Sequence, residues 1–216
     1  MHSVMLEKTE ISVGKIVCIG RNYAAHAKEL GNEAPEKPII FIKPASTMVA
    51  DGGSVTIPDY SEECHHEVEL AVLIGQDARN VTKQEALKHV AGYAVALDMT
   101  LRDVQTAQKS KGLPWEIAKA FDTSCPLSSF VAADKVANPQ DLKLTLQVNG
   151  ETRQDGHSGD MMHSVAELIA AVSSYFTLEA GDILLTGTPA GVSRVQSGDR
   201  LEAAIDQVGS LSVSVA

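Results

Sequence analysis

The stretch EVELAVLIG, residues 67–75, decides how this chain folds. Successive side chains of a β-strand point to opposite faces, so Glu67 and Glu69 point the same way, with Cα atoms about 6.6 Å apart. The other positions of the run, 68 and 70–74, are all apolar. The pattern therefore predicts a strand over 67–74 that is buried on both faces and carries two neighbouring carboxylates on one of them.

Two buried carboxylates so close together need a positive charge between them. Burial and mutual repulsion otherwise raise their pKa values until one is protonated, and a hard divalent cation is the simplest remedy. Asp98 follows the apolar run 90–97 and is placed to complete such a site, because strand ends present functional side chains to clefts. The alternative, that Glu67 and Glu69 lie on a solvated sheet edge, fits the spacing equally well.

The remaining patterns predict an α+β domain built around a mixed sheet. Asn149-Gly150 indicates a tight hairpin turn, and two possible helix-capping boxes pair Ser164 with Glu167 and Thr100 with Asp103. Further strands are predicted over 16–19, 90–97, 142–148, 183–185, 201–205 and 211–215, and helices over 23–30, 101–109 and 165–176.

Composition limits the function classes. The chain has 216 residues, with 18 Lys and Arg against 28 Asp and Glu, and a net charge of −10 disfavours nucleic acid and anionic membranes. We expect one domain, 1–216. Its 3 cysteines show no CxxC spacing, which indicates a reducing compartment, and no window approaches the roughly 20 apolar residues of a membrane span. A cytoplasmic protein is expected.

Three other polar groups are candidates for chemistry. His26 and Glu29 share a helix face, and a carboxylate can orient an imidazole as general base, although a solvated helix with a stray histidine is the commoner arrangement. Lys119 could stabilise an oxyanion, or be an ordinary surface lysine. His65 lies on the same strand face as Glu67. It could bind or orient a group near the metal, or it could be a plain core histidine.

Six motifs, in order, closely resemble the fumarylacetoacetate hydrolase family. The resemblance runs from about residue 15 to the C-terminus and is nearest to the acylpyruvase and oxaloacetate decarboxylase branch. The motifs are GRNYAAHAKE (20–29), FIKP (41–44), HHEVELAVLIG (65–75), ALDMTLRDVQ (96–105), KGLPWEIAKAFD (111–122) and GDILLTGTPAGV (181–192).

The resemblance implies roles for individual residues. Glu67, Glu69 and Asp98 would bind Mg²⁺, with Mn²⁺ as the alternative. His26 and Glu29 would activate water, and Lys119 would steady the oxyanion. The residues implied to bind substrate oxygens are Arg21, Arg102, Gln105 and Thr188. It also implies a homodimer, a β-rich mixed-sheet roll of the fumarylacetoacetate hydrolase C-terminal domain type, and a lid near His26, over 25–35.

Together these features favour a magnesium-dependent acylpyruvate hydrolase that splits a 2,4-dioxo acid into pyruvate and a carboxylic acid. Oxaloacetate decarboxylation or keto-enol tautomerisation, and isomerisation of an unsaturated dicarboxylate, are alternatives at the same site. A non-catalytic keto-acid-binding protein is the alternative from another class. The dyad and Lys119 argue against it, because binding alone needs no water activator.

Overall fold

The computed structural model describes residues 2–33 and 35–216. Its strands are β1 (Ser3–Leu6), β2 (Thr9–Ser12), β3 (Lys15–Gly20), β4 (Ile39–Pro44), β5 (Met48–Ala50), β6 (Ser54–Val55), β7 (Cys64–His65), β8 (Val68–Ile74), β9 (Val90–Leu97), β10 (Thr100–Leu101), β11 (Cys125–Leu127), β12 (Val131–Ala132), β13 (Lys143–Val148), β14 (Glu151–His157), β15 (Ile183–Leu185), β16 (Arg200–Ile205) and β17 (Gly209–Val215).

The α-helices are short. They are α1 (Ala24–Glu29), α2 (Lys83–Ala86), α3 (Arg102–Ser110), α4 (Glu116–Lys119) and α5 (Val165–Tyr175), and single 3₁₀ turns occupy Ala45–Thr47, Leu87–His89, Ala133–Lys135 and Ser158–Asp160. Within the described residues, no helix is long and apolar enough to cross a membrane. The cytoplasmic location and the single domain 1–216 stay predictions.

Two curled mixed sheets make up most of the molecule. The larger has the order β4-β3-β15-β8-β9-β11-β5, with β12 beside β9, and the second has the order β14-β13-β16-β17-β6. Most neighbours are antiparallel, but β15 runs parallel to β3, β11 to β5 and β17 to β6. The predicted α+β fold with a β-rich mixed-sheet roll is confirmed.

Strand β8 lies inside the larger sheet, between β15 and β9, and all of its residues are buried. Val68, Leu70 and Val72 pack on one side in a core shared with the second sheet and α5. Ala71 and Leu73 pack on the other side in a separate core. Each Leu or Val buried in this way contributes roughly 1.5–3 kcal/mol. The solvated-edge interpretation of Glu67 and Glu69 is therefore wrong.

Two local predictions are confirmed. Asn149 and Gly150 join β13 to β14 with φ angles of 52° and 81°, the left-handed pair that a tight hairpin turn requires. Ser164 and Glu167 form the predicted capping box at α5, where the Ser164 N–H donates to the Glu167 carboxylate at 2.8 Å.

The second capping box is wrong. Thr100 belongs to β10, which pairs with β7, and its hydroxyl donates to the Asp98 carbonyl at 3.1 Å. Asp103 instead accepts hydrogen bonds from the Ser61 hydroxyl at 2.6 Å and the Glu62 N–H at 3.0 Å. Helix α3 consequently begins one residue later than predicted, at Arg102. Strand pairing with a distant segment overrides the local capping signal.

Candidate functional site

Three carboxylates meet at the start of β8 and the end of β9. Val68 pairs with Leu97, and the Asp98 N–H donates to the Glu67 carbonyl at 2.8 Å, so Glu67 and Asp98 are neighbours across the two strands. Glu67, Glu69 and Asp98 each place one carboxylate oxygen within 4.8 Å of the others. Their exposed fractions are 4%, 1% and 1%. We call this buried group the acidic floor.

Three cationic side chains contact two of these carboxylates. The Lys119 Nζ lies 2.8 Å from Glu67 and 2.6 Å from Asp98, and the Lys43 Nζ lies 2.9 Å from Asp98. Arg102 also pairs with Glu67. Burial alone would raise the pKa of Glu67, but Lys119 and Arg102 outweigh it and hold that pKa below its usual range. Burial likewise opposes charge on Lys119, yet the Asp98 and Glu67 carboxylates raise its pKa.

Glu69 differs from the other two members of the floor. Its carboxylate accepts a hydrogen bond from the Gly187 N–H at 2.6 Å and has no ion pair among the described residues. Burial, followed by repulsion from Asp98 and Glu67, raises its pKa well above the ordinary value. Three clustered hard oxygen ligands, one of which has no cationic partner among the described residues, fit a divalent cation such as Mg²⁺ or Mn²⁺.

Sequence reasoning assigned no role to Lys43. It is fully buried in β4 and donates to the Ser124 hydroxyl at 3.0 Å, besides its contact with Asp98. The available signal was a lysine within the apolar segment Ile39–Pro44, because a buried lysine needs an anionic or polar partner.

Helix α1 carries the predicted dyad at the cleft. The His26 Nδ1 lies 3.4 Å from the Glu29 carboxylate, which also accepts from the Gly191 N–H at 3.0 Å. His26 is 4% exposed, so it is not a stray surface histidine. Burial lowers the pKa of His26, more than Glu67 and Glu29 raise it, which keeps the imidazole neutral near pH 7. A neutral imidazole beside a carboxylate can act as a general base.

The cleft brings the other predicted residues together. His26, Lys119, Glu67 and Glu69 all line it. So do the four predicted substrate-binding residues, which are Arg21, Arg102, Gln105 and Thr188. Helix α3 places Arg102, Gln105 and Lys109 on one face, and the Arg102 guanidinium donates to the Gln105 side-chain oxygen at 2.7 Å.

One cation at the cleft escaped sequence reasoning. Lys109 lines it together with Arg21 and Arg102, and its ammonium donates to the Asn32 side-chain oxygen at 3.0 Å. Burial, then repulsion from Arg21 and Arg102, lowers the pKa of Lys109. Neither Arg21 nor Lys109 has an ion pair within residues 2–33 and 35–216. We call these three side chains the cationic rim.

Two aromatic side chains, Phe41 and Trp115, also line the cleft. The rings of Phe41 and Trp115 lie 5.8 Å apart, and the Lys119 Nζ lies 5.2 Å from the centre of the Phe41 ring. The apolar wall reduces the polarity around Lys119, and this strengthens electrostatic interactions at the floor.

The two histidines before β8 lie apart from the acidic cluster. The His65 Nε2 lies 3.2 Å from the Glu63 carboxylate, and His65 is not one of the three clustered ligands. His66 is fully buried between Gln154 and Ser193, at 2.9 Å from each. Both therefore have structural partners of their own.

The predicted lid, 25–35, includes Ala34, which lies outside the described residues. The described part is tethered over the cleft by the Gly191–Glu29 and Lys109–Asn32 hydrogen bonds. Gly31 has a φ of 65°, a left-handed conformation that favours glycine and ends the helical turn. Movement of this segment stays a prediction.

Two known proteins have sequences similar to that of this chain. Over 195 residues the chain is 53% identical to oxaloacetate tautomerase YcgM of Escherichia coli (strain K12), covering 90% of this chain and 89% of that protein. It is 48% identical over 200 residues to the mitochondrial oxaloacetate tautomerase FAHD1 of Bos taurus, covering 93% and 90%.

A solved structure has the same fold as this chain. The fumarylpyruvate hydrolase of Pseudomonas aeruginosa, crystallised with Mn²⁺ and pyruvate, superposes with a TM-score of 0.95 at 40% identity, over 99% of this chain and 95% of that one. Residues 15–216 match the fumarylacetoacetate (FAA) hydrolase C-terminal family. The chain is a member of that family.

Proposed function

We propose that this protein is a divalent-metal-dependent enzyme that interconverts the keto and enol forms of oxaloacetate. The observation that carries the proposal is one cleft that is lined by Glu67 and Glu69 of the acidic floor, a neutral buried histidine and a buried ammonium group. The oxaloacetate tautomerases among its relatives support the choice of substrate.

Glu67, Glu69 and Asp98 would hold Mg²⁺ or Mn²⁺. A bound divalent ion supplies Lewis acidity, which polarises the 2-oxo group of a substrate and acidifies its C3 hydrogens. The Pseudomonas aeruginosa fumarylpyruvate hydrolase was crystallised with Mn²⁺, which supports a site of this kind.

His26 is the proposed proton-transfer group. Its neutral imidazole accepts a proton from C3, and Glu29 stabilises the imidazolium that results. Lys119 stabilises the negative charge that develops on the 2-oxygen. The 2-oxygen then takes up the proton that the His26 imidazolium releases, so the enol forms and the neutral imidazole is restored. The reverse sequence returns a proton to C3, so the cycle is balanced without a further reactant.

The cationic rim favours a substrate with a second carboxylate. Arg21 and Lys109 line the same cleft as the acidic floor without anionic partners among the described residues. Oxaloacetate brings a distal carboxylate to this end of the cleft, whereas acetylpyruvate brings an uncharged acyl group. Charge complementarity therefore favours dicarboxylic keto acids.

A second candidate is the hydrolysis of acylpyruvates, and the His26–Glu29 dyad specifically favours it. The same imidazole could remove a proton from water as the water attacks the distal carbonyl carbon. Fumarylpyruvate, which carries two carboxylates, would suit the cationic rim better than acetylpyruvate.

One experiment separates these activities. Metal-free protein is supplied with Mg²⁺ or Mn²⁺, and the enol-to-keto conversion of oxaloacetate is followed by ultraviolet absorbance. Carbon dioxide release from oxaloacetate and pyruvate release from fumarylpyruvate and acetylpyruvate are followed in parallel. We expect tautomerisation to be the fastest reaction and to fall to the spontaneous rate on chelation. Metal-dependent oxalate binding without any turnover would instead identify a keto-acid-binding protein.

The proposal also includes a homodimer and a small 2-keto acid as the binding partners. Sedimentation equilibrium checks the first, with a mass of twice 22.9 kDa expected.

A further inference from the structure

Gln154 is fully buried on β14, in the second sheet, yet its side chain reaches the candidate site. Its Oε1 accepts from the Val68 N–H at 3.1 Å, and its Nε2 donates to the Pro189 carbonyl at 2.9 Å. A backbone N–H can only donate and a carbonyl can only accept, so these two contacts fix which end of the amide is oxygen.

The fixed amide sets the protonation of His66. Gln154 Oε1 also lies 2.9 Å from the His66 Nδ1, so this nitrogen must carry the hydrogen. The His66 Nε2 lies 2.9 Å from the Ser193 hydroxyl. The hydrogen bond at the other ring nitrogen therefore runs from His66 to Gln154.

Gln154 in turn donates a hydrogen bond to Thr188. The remaining N–H of Gln154 donates to the Thr188 Oγ1 at 2.8 Å, which occupies the hydroxyl oxygen as an acceptor. No acceptor for the Thr188 hydrogen is present among the described residues, and Thr188 lines the cleft beside Glu67 and Glu69. That hydrogen is therefore available only toward the cleft.

The backbone around Thr188 is held on both sides. The preceding Gly187 N–H donates to the Glu69 carboxylate at 2.6 Å, and the following Pro189 carbonyl accepts from Gln154. The hydroxyl is thus fixed relative to the acidic floor, within a segment that cannot shift without breaking these contacts.

We propose that Gln154 is a positioning residue that makes Thr188 an obligatory hydrogen-bond donor to the ligand. The site then selects a carboxylate or enolate oxygen at this position and disfavours a ligand group that can only donate. The inference rests on the proposed function, since it takes the ligand to be a keto-acid anion.

The test measures oxalate binding to the Mg²⁺-loaded protein by calorimetry. Thr188→Val keeps the shape but removes the hydroxyl, and we expect a loss of affinity of about 10- to 100-fold, typical of a hydrogen bond to an anion. Thr188→Ser keeps the donor and should bind nearly as well as wild type.

Two substitutions of Gln154 test its part. Gln154→Glu places an acceptor against Thr188, so the hydroxyl hydrogen turns away from the ligand and oxalate binding falls by a similar factor. Gln154→Met removes the orienting N–H without adding charge and should cost about 3- to 10-fold. In the Thr188→Val background, Gln154→Met should have almost no further effect, because no hydroxyl remains to orient. If the Met variant does not fold, the same cycle with the uncharged Gln154→Leu decides.

Gln140→Glu is the matched control. Gln140 also uses both ends of its amide, with the Ser158 carbonyl at 2.9 Å and the Val165 N–H at 2.7 Å, but it does not line the cleft. Its substitution should leave oxalate affinity unchanged. An equal loss from Gln154 substitution with and without the Thr188 hydroxyl would overturn the inference alone. Absence of oxalate binding by the metal-loaded wild type would overturn the proposed function, and the inference with it.

Discussion

The acidic floor and the helix that carries the dyad both contribute side chains to one cleft, but they are built differently. The floor lies at the ends of β8 and β9, which are joined by seven register pairs and buried on both faces. Helix α1 has six residues and no side-chain hydrogen bond at its N-cap. Helices this short depend on tertiary contacts for their stability. The proposed metal ligands thus lie on paired, buried strands, and the proposed proton-transfer group lies on a short helix that depends on its tertiary contacts.

The largest expected effect separates two members of the floor. Glu67→Gln and Glu69→Gln should both abolish metal-dependent activity, because each removes a charged ligand. Only Glu67→Gln should destabilise the metal-free protein, by about 3–5 kcal/mol, since it leaves the buried Lys119 short of a partner. Thermal unfolding with and without Mg²⁺ measures this, and the exposed Glu202→Gln is the control. Equal destabilisation by both substitutions would contradict the distinction drawn between them.

The dyad should matter for proton transfer alone. His26→Ala should slow oxaloacetate tautomerisation and acylpyruvate hydrolysis by about 10²- to 10⁴-fold. Carbon dioxide release from oxaloacetate should fall much less, because cleavage of the C3–C4 bond requires no base. Parallel rates on one preparation measure the difference, with Mg²⁺ affinity as the control. Equal slowing of all three reactions would make His26 a positioning residue.

The cationic rim should affect dicarboxylates selectively. Lys109→Gln should lower kcat/KM for oxaloacetate or fumarylpyruvate about 10-fold more than for acetylpyruvate, because it removes a charge that faces the distal carboxylate. Lys111→Gln, at the exposed end of the same helix, is the matched control. An equal loss on both kinds of substrate would show that Lys109 does not recognise the second carboxylate.

The pH dependence should follow His26. The base form is required, and burial lowers the pKa of His26 from 6.5, so kcat/KM at saturating metal should rise with pH along a limb centred below pH 6.5. Glu29→Gln removes an anion that raises this pKa, so the limb should move to lower pH. A limb that moves to higher pH would mean that another group controls it.

The smallest effect concerns the proposed lid. Oxalate added together with Mg²⁺ should slow hydrogen exchange in residues 25–33 by a few-fold, while β8 and β9 stay slow in both states. Peptide-level mass spectrometry measures both regions in one experiment. Unchanged exchange in this segment would mean that it does not close over the ligand.

Local sequence patterns predicted much of the molecule. Alternation in 67–75 identified the central strand, and Asn149-Gly150 and the Ser164 capping box marked a turn and a helix start, because those signals depend on a few adjacent residues. The Thr100–Asp103 box failed because β10 pairs with β7, a contact that no local window contains.

The motifs predicted residues that the structure brings together at one cleft, whereas residues whose contacts span the chain were missed. Gln154 lies 34 residues from Thr188 and 88 from His66, on a strand with polar neighbours, so nothing in its local pattern indicates burial. Lys43 on β4 contacts Asp98, which follows β9, across 55 positions of the chain. These residues gain their roles from packing between distant segments.

The pairing of β8 with β9 also determines which changes of chain length this fold can absorb. From Val68 to Leu73 the register is uninterrupted, and its one irregularity lies at the far end, between Leu73 and Ile74. Deleting one residue inside β8 would exchange its two faces and carry Glu69 out of the cleft, leaving an apolar side chain in its place. Insertions in the connection over 76–82, which is largely exposed, would leave the floor in place. Homologous or engineered chains can therefore vary in length on one side of this hairpin only.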